Sequence, residues 1–206
     1  MNLYIVRHGE SEGNASKLHQ APDVRLSVTG IQQAESVAKR FKNIDLDLLL
    51  ASPFERAKRT AEIIGGEINK PIHIEPLFAE LKRPSEIVGK NSEDPSIVAI
   101  RDRIRANWHD PNWRHSDEEN FFELRERAIA GLKRITALKE QNVLLVSHGL
   151  FIVMLFSIMT HGNDLQPREF ECLLKMMHMK NTGISLCEYN NERWKLITWN
   201  DHAHLG

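Results

Sequence analysis

Two distant stretches of this chain end in the same way. Leu3-Tyr4-Ile5-Val6 runs into Arg7-His8-Gly9, and Val143-Leu144-Leu145-Val146 runs into Ser147-His148-Gly149. Short runs of leucine, β-branched and aromatic residues closed by glycine read as buried strands. Each strand delivers a histidine to its C-terminal end, the edge of an α/β sheet where ligands bind. Two histidines in the same setting favour one shared site over two unrelated turns. The second strand leads into an apolar helix through Leu150–Met159. The start of that helix, after Gly149, turns free N–H groups and a positive dipole end toward the same edge, which suits an anion.

A third stretch, Ala51-Ser52-Pro53-Phe54-Glu55-Arg56-Ala57, follows the apolar run Leu46–Leu50. Ser52 reads as a helix N-cap, Pro53 as the first helical residue, and Glu55 as the return half of a capping box. Ala57, Thr60, Ala61 and Ile64 form the packed stripe of that helix. Arg56 falls in the first turn, where a positive charge opposes the dipole. An arginine aimed at an anion explains it better than a solvated side chain does.

Arg-His-Gly-Glu at residues 7–10, Ser-Pro-x-x-Arg-Ala-x-x-Thr-Ala at 52–61 and Val-Ser-His-Gly at 146–149 together resemble the histidine phosphatase superfamily, the phosphoglycerate-mutase-like group. The resemblance spans nearly the whole chain, with the motifs in the family's order. It implies that His8 is a nucleophile that is transiently phosphorylated. The chemistry agrees, because a neutral imidazole attacks phosphorus at physiological pH without a metal. Arg7, Arg56 and a protonated His148 are then expected around the equatorial oxygens of the transferred group. Asn14 matches the asparagine after the nucleophile motif and adds a neutral donor, and Ser11 is a further candidate contact. The family's general acid corresponds to Glu80 in Phe78-Ala79-Glu80-Leu81, with Glu75 as the local competitor.

After Glu80 the chain departs from the family pattern. Many relatives continue into a glycine-rich, Trp-Glu-Gly-like stretch, whereas this chain reads Leu81-Lys82-Arg83-Pro84. Lys82, Arg83 and Lys90, or Lys17 and Arg25, offer charges to a second anionic group on the substrate, although each alone reads first as a solvated charge. The mutases of the family carry a longer insert here.

The expected fold is α/β: a mostly parallel central sheet flanked by helices, with a cap insertion at about 82–120 over the active site, all in a single domain spanning 1–206. A helix opening at Thr29-x-x-Gln32 presents Ile31, Ala34, Val37, Ala38 and Phe41 on one face. The cap itself reads as irregular, joined to a helix at about 117–139. Gly183–Glu188 and Trp194–Trp199 form a terminal hairpin. A net charge of −1 gives no sign of nucleic-acid or membrane binding. No basic leader precedes the first strand, so the cytoplasm is the expected compartment, with Cys172 and Cys187 as free thiols. No cofactor and no metal are expected, and His202-x-His204 reads as a tail. The partner is a small phosphorylated substrate, and a homodimer stays open. The favoured activity is a metal-independent phosphomonoesterase acting through phosphohistidine. The alternatives are a phosphoglycerate mutase and a non-catalytic phospho-ligand binder.

Overall fold

Along the first strand, β1 (Asn2–Arg7), successive side chains are buried against different partners. The computed structural model describes residues 1–206. Leu3 and Ile5 join a core on one face of the sheet, and Val6 joins a second core on the other. The period-2 alternation of a strand buried on both faces explains why the segment is apolar throughout.

The sheet has six strands in the order β3-β2-β4-β1-β5-β6. Here β2 is Leu48–Ala51, β3 Ile72–Ile74, β4 Asn142–Ser147, β5 Ile184–Asn190 and β6 Arg193–Asp201. β3, β2, β4 and β1 are parallel neighbours, and β5 joins β1 antiparallel. β5 and β6 form the expected hairpin, turning through Asn191 and Glu192 in left-handed conformations. The fold is thus a mixed α/β architecture with a mostly parallel sheet.

Seven α-helices complete it: α1 (Glu12–Ala15), α2 (Val28–Phe41), α3 (Glu55–Ile68), α4 (Pro95–Ala106), α5 (Phe121–Thr136), α6 (Gly149–His161) and α7 (Pro167–Met176). α2 and α3 cover one face through Val37, Phe41, Ala57, Ala61 and Ile64. α5 and α6 cover the other through Leu124, Ala128, Phe151 and Leu155. Every residue of α6 from Phe151 to Ile158 is buried, as expected for a helix apolar on all sides. The strand-β6 residue Trp199 closes its outer side against Phe156, with ring centroids 4.9 Å apart.

Three local expectations are corrected. α3 begins at Glu55, without a side-chain cap; the Ser52 hydroxyl is taken by His148 and by the Phe54 N–H. α2 is capped by Ser27, which accepts from the Gly30 N–H at 3.0 Å, so Thr29 lies inside the helix and Ile31 is not a core residue. The cap is not irregular throughout. Residues Pro95–Ala106 form α4, opened by Asp94 as N-cap with Pro95 at the first helical position.

Candidate active site

Register sets the geometry of the site. Arg7 is paired with Ser147 across β1 and β4, and Ala51 with Val146 across β2 and β4. His8, Ser52 and His148 therefore leave three adjacent strand ends together. The two imidazoles lie with centroids 5.1 Å apart, and both are buried.

Each ring has one nitrogen anchored. His8 Nδ1 lies 2.7 Å from the Gly9 carbonyl oxygen. A carbonyl only accepts, so Nδ1 carries the proton and Nε2 keeps its lone pair. Burial, reinforced by Arg7 and Arg56, holds His8 well below the usual histidine range, so the ring is neutral. His148 Nε2 lies 2.7 Å from Ser52 Oγ, and its Nδ1 is buried without a partner. Burial, then His8, Arg56, Arg7 and Arg127, keep His148 neutral as well. The protonated His148 expected from sequence is therefore corrected to a neutral ring. With Ser52 donating to Nε2, the neutral ring still offers an N–H at Nδ1.

The arginines are held by carbonyls and left with spare donors. Arg7 Nη1 donates to Met179 O at 2.5 Å, and Arg56 Nη1 donates to Ala21 O at 3.1 Å. The Nε of each is buried and unpartnered. Burial pushes the Arg56 guanidinium down to about 10, with Glu80 opposing and Arg7 adding to the shift. Gly149 lets Arg7 lie across the start of α6: a Cβ there would meet Arg7 Nε at 3.4 Å.

Two hydroxyl bridges tie the motifs to one another. Thr60 Oγ1 accepts from the Gly9 N–H at 3.0 Å and donates to Arg56 O at 2.7 Å. Gly9 also meets α2 backbone to backbone. A Cβ on Gly9 would lie 2.4 Å from Gly30 O, and one on Gly30 1.8 Å from Glu10 O. The glycine after the nucleophile is thus required by close approach, since its φ is not in the left-handed region.

Asn14 lines the cavity. Its Oδ1 accepts from the Ser11 N–H at 3.2 Å, which leaves Nδ2 as a donor for a ligand. Ser11 is not brought into the cavity. Its buried hydroxyl caps α1 by accepting from the Asn14 N–H, and it donates to Gln20 Oε1 at 2.6 Å.

Glu80 sits at the start of α6, and this corrects the expectation of free N–H groups there. Its carboxylate accepts from the N–H of Leu81 at 2.9 Å, Phe151 at 3.1 Å and Leu150 at 3.3 Å. Glu75 instead caps the turn at Pro76–Phe78 and faces Arg134. The loop carrying Glu80 is pinned from two sides. Ser147 Oγ donates to Phe78 O at 2.8 Å. Arg127 donates to the carbonyls of Leu77 and Ala79 at 2.9 and 2.7 Å, and pairs with Glu119 at 2.7 Å.

Arg7, His8, Asn14, Arg56, Glu80 and Gly149 line one cavity of about 330 Å³. Arg7 and Arg56 line it beside His8, whereas His148 is fully buried and packs against the His8 ring without lining the cavity. Sequence reasoning missed Ser52 as a partner of His148, Arg127 as the clamp on the Glu80 loop, and Asn181, which donates to His8 O at 2.9 Å. None of these contacts is local in sequence, so no local signal marks them. Lys82 and Lys17, considered above for a second anion, are paired with Asp117 and Glu93. Lys90 and Arg25 do not line the cavity.

The family model of the histidine phosphatase superfamily (branch 1) matches residues 3–202. The chain belongs to that superfamily. It is 31% identical to a protein of Photorhabdus laumondii named probable phosphoglycerate mutase GpmB, over 97% of this chain and 90% of that one. It is 29% identical to the uncharacterized phosphatase PhoE of Bacillus subtilis, over 98% and 95% of the two chains. The fold is that of the alpha-ribazole phosphatase of Shigella flexneri, with a TM-score of 0.81, 22% identity and 98% of each chain covered. No helix is long and apolar enough to cross a membrane. Cys172 and Cys187 are both free.

Proposed function

We propose that this superfamily member is a phosphomonoesterase that acts through a phosphohistidine at His8. One observation carries the reading. His8 presents a neutral Nε2 in a cavity that also holds two arginines with unpartnered Nε atoms and the carboxyl group of Glu80. In the first step Nε2 attacks phosphorus, the P–O bond to the alcohol breaks, and Glu80, which must carry a proton in the substrate complex, gives it to the leaving alkoxide. In the second step Glu80 takes a proton from water, which attacks phosphorus and breaks the P–N bond. Arg7, Arg56, Asn14 and the Nδ1 of His148 hold the equatorial oxygens through both displacements. No step calls for a metal ion. The work is divided between positioning and charge, and between an acid and a nucleophile.

The mutase reading has its own support in the name carried by GpmB. Both activities begin with the same phosphohistidine and differ in whether water or the bound product takes the phosphate. A mutase must exclude water while its intermediate reorients. The short Lys82-Arg83-Pro84 continuation favours water.

The test is one preparation assayed both ways. Brief incubation with substrate in the presence of a chelator, followed by peptide mapping, is expected to find an acid-labile, base-stable phosphate on His8. Inorganic phosphate release is expected to outrun interconversion of 3- and 2-phosphoglycerate. Phosphate on another residue, or full turnover by His8→Ala, overturns the mechanism. Isomerisation at least about tenfold faster than phosphate release would give the site to the mutase reading.

A further inference from the structure

The cavity carries more positive charge than a single phosphoryl group requires. Its lining holds Arg7, Arg56, Arg83 and Arg105 against one carboxylate, Glu80. Arg7 and Arg56 flank His8, and a phosphomonoester dianion matches their charge. Arg83 and Arg105 come from the cap; no acid besides Glu80 lines the cavity, and Asp102 and Glu171 act on Arg105 from outside it without forming an ion pair with it.

These two arginines stand out from their neighbours. Other cationic side chains of the cap region have partners: Lys82 pairs with Asp117 at 3.2 Å, Arg114 with Glu123 at 2.5 Å, and the helix-α5 residue Arg127 with Glu119 at 2.7 Å. Arg83 and Arg105 are only partly exposed, yet neither side chain makes a hydrogen bond or an ion pair. The sequence between them and just beyond is rich in acids, so partners were within reach. Arg101, one turn before Arg105 on α4, lies on the same helix face. Like charges four residues apart weaken a helix. Burial lowers the Arg83 guanidinium below its ordinary range; Glu80 opposes the shift, and Arg105 and Arg101 add to it. His19, on the same wall, has a buried Nε2 without a partner and is pushed down to about 4 by burial, Arg83 and Arg101. It is therefore a neutral group that adds no further charge. Leaving guanidinium groups desolvated and unpaired is unfavourable unless a ligand completes them.

We propose that Arg83 and Arg105 form a second anion subsite in the same cavity, so that the substrate is a small phosphomonoester whose alcohol portion carries a carboxylate or a second phosphate. The inference rests on the phosphatase reading, with His8 taking one phosphoryl group and the cap holding the other charge. Glu80 lines the same cavity as Arg7, Arg56, Arg83 and Arg105. A substrate anchored at both ends therefore keeps its ester oxygen in the cavity that holds the acid. A volume of about 330 Å³ is at the small end for a ligand pocket and suits a short, doubly charged molecule rather than a nucleotide or a lipid.

The experiment uses two matched pairs of esters: 3-phosphoglycerate with 3-phosphoglyceramide, and propane-1,3-diol bisphosphate with its monophosphate. The wild-type enzyme is expected to prefer the charged member of at least one pair by about tenfold or more in kcat/KM. Arg83→Gln and Arg105→Gln are each expected to shrink that preference by about tenfold, toward parity, the low end of the range for a charge-assisted hydrogen bond. The pair with the larger preference identifies carboxylate or phosphate as the second group. Arg105→Lys, which keeps the charge without the fork, is expected to recover part of the preference and guards against a variant that does not fold. A wild-type preference under about twofold overturns the subsite. So does a preference that neither substitution changes, or an equal loss on both members of a pair. If none of the four esters is hydrolysed, the phosphatase reading fails by itself. The affinities of the His8→Ala protein for the same compounds, measured by calorimetry, then decide the subsite, with equal affinity within each pair counting against it.

Discussion

Glu80 does two things at once, and replacing it by glutamine separates them. The substitution keeps the shape of the side chain and removes its capacity to carry a proton to the leaving group. Loss of general acid catalysis is expected to slow turnover of an alkyl phosphate by about 10²–10⁴-fold, or about 3–5 kcal/mol in activation free energy. With p-nitrophenyl phosphate, whose leaving group needs little protonation, the loss shrinks. The structure adds a second cost. The two carboxylate oxygens accept from three backbone N–H groups at 2.9–3.3 Å, two of them in the first turn of α6. A glutamine presents one oxygen and one NH₂, so at least one N–H meets a donor in place of an acceptor. The lost bond and the lost negative charge at the helix N-terminus, in a half-buried position, together cost about 1–2 kcal/mol. For a chain of this size that lowers Tm by about 2–8 °C. Steady-state kinetics on the two substrates and a thermal melt decide the matter. Equal losses on both esters would show that Glu80 shapes the site without moving a proton. A larger loss from Glu75→Gln would move the acid to the other carboxylate. An unchanged Tm would remove the helix-capping role.

Three other perturbations test separate parts of the structure. Ser52→Ala strips His148 of its only anchored nitrogen, and kcat/KM is expected to fall about 10–100-fold with a parallel weakening of vanadate inhibition; unchanged inhibition would refute the anchoring role. Gly30→Ala drives a methyl group into the Glu10 carbonyl and is expected to cost about 3 kcal/mol or more, whereas Gly66→Ala, in open space on α3, is expected to gain about 0.5–1 kcal/mol; urea denaturation reverses the argument if it reverses that order. His8 and His148 are held below the usual histidine range, so the unfolded chain binds protons that the folded chain refuses. Stability is therefore expected to fall as pH drops below about 6.5 and to be unaffected by these groups above it, and the acid limb of kcat/KM should lie below 6.5 as well; a urea midpoint that rises on acidification would contradict the neutral assignment.

The parts of the fold written in the sequence are those set by local pattern. β1 and β4 are continuous apolar runs because both faces of each are buried, and the terminal hairpin shows its turn residues. His8, Arg7, Arg56, Glu80 and His148 sit in motifs that stand out without any coordinates. Helix starts were misread where a cap residue had a distant competitor. Ser52 has every local mark of an N-cap, but its hydroxyl belongs to His148, 96 positions away. Ser11 looked like a ligand and is a cap for a similar reason, because what occupies a hydroxyl is settled by packing. α4 carried a legible Asp94-Pro95 start, but its apolar stripe is thin, with Ile97 its only buried residue. Its charged face reads as loop, although Arg105 on that helix lines the cavity.

The nucleophile strand has consequences for the order in which the molecule comes into being. β1 needs β4 on one side and β5 on the other, and the residues just before β5 also grip the site: Met179 holds Arg7, Asn181 holds the His8 carbonyl, and the Thr182 N–H holds Arg7 O. Residue 8 therefore waits for residue 184. At a synthesis rate of about 5–20 residues per second, the interval is roughly 9–35 s. Throughout it the chain already carries its nucleophile without a complete pocket, and until β4 has been made the strand on which everything depends has no neighbour to pair with. Contacts between such distant residues also form slowly once the chain is complete. The histidine is among the first residues made, and activity is the last property the molecule acquires.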